Sequence, residues 1–430
     1  MTLATILLLV LLFLLLLSSA PISVALGLTS IFYIFYFTLT PMTQVPERLF
    51  NALNSFPLMA IPFFVLAANI MSRGGISRRL TDFGAALVGH LRGGLAITAV
   101  LSCMFFAAVS GSSPATVVAV GTIMIPAMVA HGYSKQFSTG LIASSGSLGI
   151  LIPPSIPLIV FGIATESNIG DLFVAGIIPG ILAGLMLIAV ALVISRRKGY
   201  GDNSSTLGVK SAKDRFKAFQ SAILALLLPV IVLGGIYNGF FTPTEAAAVA
   251  VLYSLLVSLV IYRELPFKRL GEITLASAKT SAMIMFIIAN GILFSFVLTQ
   301  ERIPLQISGA IEEMNLRPWQ FLLLINVILL IVGCFMETSS AILILAPILL
   351  PIATQMGINP IHLGIIMVMN LEIGMVTPPL GLNLFVASGL SRMSVLKVAK
   401  AALPSALVLL AGLLIVTFVP ALSTALIGGQ

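Results

Sequence analysis

Ten stretches of this chain stay apolar over the roughly 20 residues a helix needs to cross the hydrocarbon of a bilayer. They are 2–19, 21–40, 50–71, 136–166, 172–195, 218–238, 243–263, 272–298, 361–388 and 399–425. Charged residues make up 8% of the chain and hydrophobic residues 59%, whereas a soluble domain is about 25% charged. In lipid every backbone N–H and C=O must find its partner inside the protein, and helices do this within one segment. The sequence therefore predicts an all-α, polytopic membrane protein. It excludes a soluble enzyme, a nucleic-acid binder and a disordered chain. The net charge of +8 belongs to membrane topology and marks no nucleic-acid patch. Cys103 and Cys334 both lie in apolar stretches, and three scattered histidines give no zinc spacing.

Residues 3–17 and the following Ser18-Ser19-Ala20 have the look of a signal peptide, but Met1-Thr2 supplies no basic start and a second apolar run follows Pro21 at once. Two spanning helices joined at Ala20-Pro21 are expected instead. Regions 93–131 and 318–356 are apolar but carry polar, Gly- or Pro-containing clusters at their middles. Each is long enough for a re-entrant hairpin of two short helices. Segments 73–92 and 301–317 hold the charges of amphipathic surface helices. The basic loop 196–217, from Arg196 to Lys217, sets the cytoplasmic side. Of the 22 Lys and Arg, only Arg48, Arg302 and Arg317 then fall outside. Both termini are expected on the outer side.

The region 110–165 resembles 335–390 at a constant interval of 225 residues. Ile123, Pro126, Gly132, Gly149, Pro153 and Pro154 recur as Ile348, Pro351, Gly357, Gly374, Pro378 and Pro379. Most of these are the residues that set backbone breaks. Five spans separate the two hairpins, and an odd number makes the repeat inverted. Paired Gly/Pro-interrupted segments in two halves point to a transport site near the midplane. Ala68-Asn69 and Ala289-Asn290 form a weaker echo.

Pro153-Pro154 and Pro378-Pro379 each remove two backbone donors inside an apolar segment. The carbonyls left over are costly in hydrocarbon unless satisfied, and a hard cation such as Na⁺ takes oxygen ligands. The facing tips supply hydroxyls: Ser110, Ser112 and Ser113 in the first half, Thr338, Ser339 and Ser340 in the second. Half-helix N-termini at the tips favour an anionic substrate. Glu337 and Glu372 are intramembrane carboxylates and thus functional candidates. In Thr242-Pro243-Thr244-Glu245, a threonine caps a helix start and Glu245 suits its positive end.

Phe241–Ala250, Gly149–Pro157, Cys334–Glu337 and Val376–Gly381 resemble the large membrane subunit of tripartite ATP-independent periplasmic (TRAP) transporters, the DctM type. The resemblance covers essentially the whole chain. The tip-and-Pro-Pro arrangement is also similar to the divalent-anion/sodium symporters, although their Ser-Asn-Thr tips are absent. The resemblance implies an elevator-type secondary transporter of the bacterial inner membrane with periplasmic termini. Scaffold helices occupy 1–72 and 218–300, and transport segments occupy 93–195 and 318–398. A C-terminal helix fills 399–430. It implies Na⁺-driven uptake of an organic acid (a sialic acid, a four-carbon dicarboxylate or a related carboxylate) delivered by a periplasmic substrate-binding protein. The small four-helix membrane subunit is expected as a separate chain.

On this reading Na⁺ binds between each tip and its Pro-Pro loop. The first site takes Ser110, Ser112, Ser113, Gly149, Ile150 and Pro153. The second takes Thr338, Ser339, Ser340, Met375, Val376 and Thr377. The organic anion sits between the tips, against Ser113, Pro114, Pro154, Ser155, Glu337, Ser340, Pro379 and Asn383. The alternatives are a proton-coupled carrier using Glu337 and Glu372, an intramembrane enzyme and a channel. No Walker sequence occurs, so ATP hydrolysis by this chain is not expected.

Overall fold

The computed structural model describes residues 3–18, 20–200, 211–313, 316–379 and 381–427. Much of the basic loop 196–217 (residues 201–210) lies outside the described residues, as does Leu380 beside the second Pro-Pro. The regular elements among the described residues are all helices, with no strand among them. Nine of these helices are long and apolar enough to cross a membrane. A tenth candidate is the pair Lys135–Leu151 and Ile156–Thr165, bent by 42° at its break.

The first hairpin is made of Gly94–Ser110 and Ser113–Ala130, and the second of Pro318–Phe335 and Thr338–Gln355. The first broken helix runs Lys135–Ser145, Leu148–Leu151 and Ile156–Thr165; the second runs Pro360–Met375 and Leu382–Ser391. The 225-residue interval reappears in the elements themselves: arms end at 110 and 335, restart at 113 and 338, and end again at 130 and 355, and the broken helices start at 135 and 360.

Packing exchanges the halves. Both arms of each hairpin lie on their own half's broken helix, and the second arm also lies on the C-terminal piece of the other half's. Thus Ser113–Ala130 packs on Leu382–Ser391, and Thr338–Gln355 on Ile156–Thr165. The long helices Ile169–Lys198 and Val395–Phe418 follow the same rule, lying on Pro360–Met375 and Lys135–Ser145 respectively. A second group of helices centres on Ala60–Arg73, Pro243–Leu255 and Leu270–Gln300, with Ile22–Phe37 and Gln44–Leu53 against the last. Asn69 and Ser277 tie this group together with a 2.9 Å hydrogen bond.

Two span boundaries are corrected, and a third span is distorted within its expected bounds. In place of 50–71, a separate helix Gln44–Leu53 ends at Asn54, Ser55 is extended, and the crossing helix begins at Phe56-Pro57 and reaches Arg73. Pro57 needs no donor in a first turn, so it starts a helix more readily than it continues one. The helix from Pro243 to Leu255 widens into a π-helical stretch over Leu256–Ile261. The last crossing helix stops at Phe418, because Pro420 disfavours helix at Val419. At its start Pro243–Leu255 closes a capping box, with Thr242 N–H donating to Glu245 at 2.8 Å. Thr244 instead reaches the Phe56 carbonyl of a neighbouring helix.

A candidate ion and anion site at two hairpin tips

The first hairpin turns at Gly111, whose φ of +60° suits a residue without Cβ. The Gly111 carbonyl accepts a hydrogen bond from Ile156 N–H at 3.2 Å, which pins the tip onto the Pro153-Pro154 loop. A Cβ at Gly111 would lie 2.8 Å from the Pro154 carbonyl oxygen, so the approach requires glycine. In the second half Gly381 N–H donates to the Cys334 carbonyl at 3.3 Å. Ile156 and Gly381 are 225 residues apart, so equivalent loop positions donate the tie in both halves, to acceptors, Gly111 and Cys334, that are two residues out of register. Both Pro-Pro bonds are cis, a feature not legible in the sequence.

Oxygens gather close to a glycine at each tie. Above Gly149, a Cβ would come within 2.5 Å of Thr116 Oγ1 and 2.6 Å of the Ser112 carbonyl oxygen. Thr116 holds Ser110 at 2.9 Å and donates to the Ser112 carbonyl at 2.8 Å. Its role was missed in the sequence, although it lies one helical turn past Ser112 and so on the same face. Beside Gly381, a Cβ would come within 2.9 Å of the Thr377 carbonyl oxygen and 3.0 Å of that of Met375. The Leu384 Cδ1 methyl lies equally near Gly381, at 2.9 Å, so both glycines are close-packed, and what they bring together at the ties is hard oxygen ligands of the kind a cation takes.

The remaining expected ion ligands fall as follows. Gly149, Ile150 and Pro153 are buried in the first loop, and Val376 in the second. Thr338 Oγ1 turns to the sulfur of Met375 at 3.1 Å, and Thr377 Oγ1 donates to its own helix at Ile373. Ser339 and Ser340 both serve Glu337. Its carboxylate accepts from Ser340 N–H at 3.1 Å and from Ser339 Oγ at 2.9 Å, capping the helix Thr338–Gln355. Ser113 leaves the first loop altogether. It donates to Glu372 Oε1 at 2.5 Å and accepts from Asn383 Nδ2, so it joins the first hairpin to the second broken helix.

Between the tips lies a cavity of about 60 Å³, lined among others by Ser112, Ser113, Pro114, Glu337, Thr338 and Ser339. Of the residues expected against the anion, Ser113, Pro114 and Glu337 line it. Pro154, Ser155, Ser340, Pro379 and Asn383 do not. Ser155 instead caps Ile156–Thr165, its hydroxyl accepting from Leu158 N–H. Pro379 is exposed. The helix Ser113–Ala130 starts at this cavity with no side-chain cap, so its free N–H groups and positive end face it.

Two interlocked halves of membrane-crossing helices, each docking a hairpin tip on a proline-broken helix, define a membrane transport protein. The family model described as "Tripartite ATP-independent periplasmic transporter, DctM component" matches residues 9–422. A C4-dicarboxylate TRAP transporter large permease protein of Pseudomonas aeruginosa is 50% identical over 94% of this chain and 93% of its own. The 2,3-diketo-L-gulonate TRAP transporter large permease protein of Escherichia coli is 37% identical over 93% of each chain. An isethionate TRAP transporter permease protein of Oleidesulfovibrio alaskensis is 44% identical over 94% of this chain and 63% of its own. The chain belongs to the DctM family: it is a large permease component of a TRAP transporter, not an enzyme. The crystal structure of the YdaH transporter of Alcanivorax borkumensis shares the fold, with a TM-score of 0.64, 16% identity and 89% of each chain covered.

Proposed function

We propose that this chain is the transport subunit of a Na⁺-coupled secondary transporter that imports an organic acid across a bacterial inner membrane. The observation that carries this reading is the pair of tip-to-loop ties, Ile156 N–H to Gly111 and Gly381 N–H to Cys334, with hydroxyl or carbonyl oxygens close beside Gly149 in the first half and Gly381 in the second. The organic anion lies between the tips, with a carboxylate toward the uncapped start of Ser113–Ala130. Glu337 already caps the other tip helix, so that end repels a second anion. Na⁺ ions beside the tips offset this negative charge. The loaded form thus binds the anion better, and linkage makes the anion raise Na⁺ affinity equally.

The group holding the hairpins moves against the group centred on Ala60–Arg73 and Leu270–Gln300 in an elevator motion, with both termini in the periplasm. A cleft of about 660 Å³ between the groups holds Arg48, which stacks 3.4 Å over Phe296. A periplasmic binding protein delivers the substrate, and a small four-helix membrane subunit completes the assembly. The names of the relatives make carboxylates and sulfonates the class to test, beginning with four-carbon dicarboxylates. The test is uptake into proteoliposomes containing this chain, its small subunit and its binding protein. An inward Na⁺ gradient should drive accumulation and a pH gradient alone should not. Undiminished uptake without Na⁺ would refute sodium coupling.

A further inference from the structure

We propose a third sodium site on the axis relating the two halves, built from side chains alone and centred on the Glu372 carboxylate. The proposal rests on the sodium reading above but uses residues apart from the oxygens gathered at Gly149 and Gly381. Glu372, Asn383, Ser113 and Ser147 are all nearly or fully buried. Ser113 and Asn383 both donate to Glu372 Oε1, at 2.5 and 3.0 Å, the pattern of a carboxylate acting as acceptor. The rest of the cluster is only partly satisfied. Glu372 Oε2 and Asn383 Oδ1 each lack a hydrogen-bond partner. The Ser147 hydroxyl faces Glu372. Ser144, one turn earlier on the same face, is also unpartnered.

Two orphaned oxygens in one buried place are expensive. A charged carboxylate without a counter-ion is more so. Glu372 takes part in neither ion pair among the described residues, Arg78–Asp82 and Arg79–Glu264. The Glu337 carboxylate is close enough to repel it. A water would satisfy some of the oxygens but would bring no charge. A small monovalent cation does both at once, and all available donors are hard oxygens. The symmetry of the fold places the group. Ser147 and Glu372 are 225 residues apart, the interval that relates the halves, and they meet where the broken helices pack together. Ser113 comes from a third element. The cation would therefore bind the first hairpin and both broken helices at one point.

The test uses the full chain co-purified with its small subunit, titrated with NaCl against choline chloride at constant ionic strength. Bound ²²Na⁺ and thermal stability are read together. The wild type should bind Na⁺ and gain stability with it. Glu372→Gln should bind one Na⁺ fewer while keeping a Na⁺ response from the tips. Ser147→Ala, a mild change that should fold even where Glu372→Gln does not, should raise the half-saturating Na⁺ about tenfold for one class of site. A wild type with no Na⁺ response overturns the sodium reading as a whole. A responsive wild type whose two variants bind the same number of ions with unchanged affinity leaves the tip sites standing and overturns the axis site. Unchanged Na⁺ binding together with loss of pH-dependent uptake in Glu372→Gln also overturns it, and makes Glu372 a proton carrier.

Discussion

At the scale of single residues, small groups set whether the tips close on their loops. Thr116→Val keeps the shape and removes the hydroxyl that braces Ser110 and faces Gly149. The loss of one such hydrogen-bonding group is worth about 1–1.5 kcal/mol. The half-saturating Na⁺ for uptake should therefore rise roughly tenfold with the fold intact. Unchanged sodium dependence would remove Thr116 from the site. Gly149→Ala is a harsher test, because the new methyl would press on the Ser112 carbonyl at 2.6 Å. Overpacking of this kind costs about 1–3 kcal/mol. Thermal denaturation should show a clear loss of stability, and sodium binding should weaken as well. Gly389→Ala serves as the contrast, since nothing lies within 4 Å of its would-be Cβ and its helical conformation accepts one. It should leave stability level or slightly raised.

At the scale of elements, the hairpins must part to admit an anion. A cavity of about 60 Å³ is far below the roughly 300–1,000 Å³ of ordinary small-molecule pockets. Ser112→Cys should then react with a water-soluble thiol reagent when the tips are free. Na⁺ with a four-carbon dicarboxylate should slow that labelling, and Na⁺ alone should slow it less. Native Cys103 and Cys334 are buried and contribute little background. Equal labelling under all conditions would mean that the tips do not enclose substrate. The hairpins were legible in the sequence because polar, Gly- and Pro-containing clusters interrupt apolar runs, and their turns do fall at Gly111-Ser112 and Met336-Glu337. The Pro-Pro breaks were legible for the same reason. The destination of Ser113 was not: it depends on an exchange of arms between halves, and no local pattern encodes a contact 259 residues away. The capping role of Glu337 was within reach, since an acidic residue before Thr338-Ser339-Ser340 is a helix start by composition. A carboxylate at membrane depth supports ion binding and substrate contact as well as such positioning of the tip, and composition does not choose among them.

At the scale of the molecule, two groups of helices meet where Leu270–Gln300 lies along Thr338–Gln355, and that surface decides whether transport is a rigid-body movement. The contact is close. A Cβ built on Gly291 would sit 3.0 Å from the Cβ of Leu343, somewhat nearer than the ~3.8 Å mean of disulfides. A small adjustment of either helix would let a disulfide form between Gly291→Cys and Leu343→Cys. Both positions are buried at the seam, and Leu343 belongs to the main hydrophobic core. If the hairpin group slides against the other, no single tether across this seam is compatible with both end states. Oxidation of the double variant in proteoliposomes should therefore abolish Na⁺-driven uptake, and a reductant should restore it. Each single variant should be indifferent to oxidation. Na⁺ binding should survive in the oxidised form, because the tips and loops lie within one moving group, so ion binding and translocation come apart. Quantitative cross-linking with uptake unimpaired would require the helices to stay in register throughout the cycle. The elevator motion would then have to give way to opening and closing of the hairpins alone.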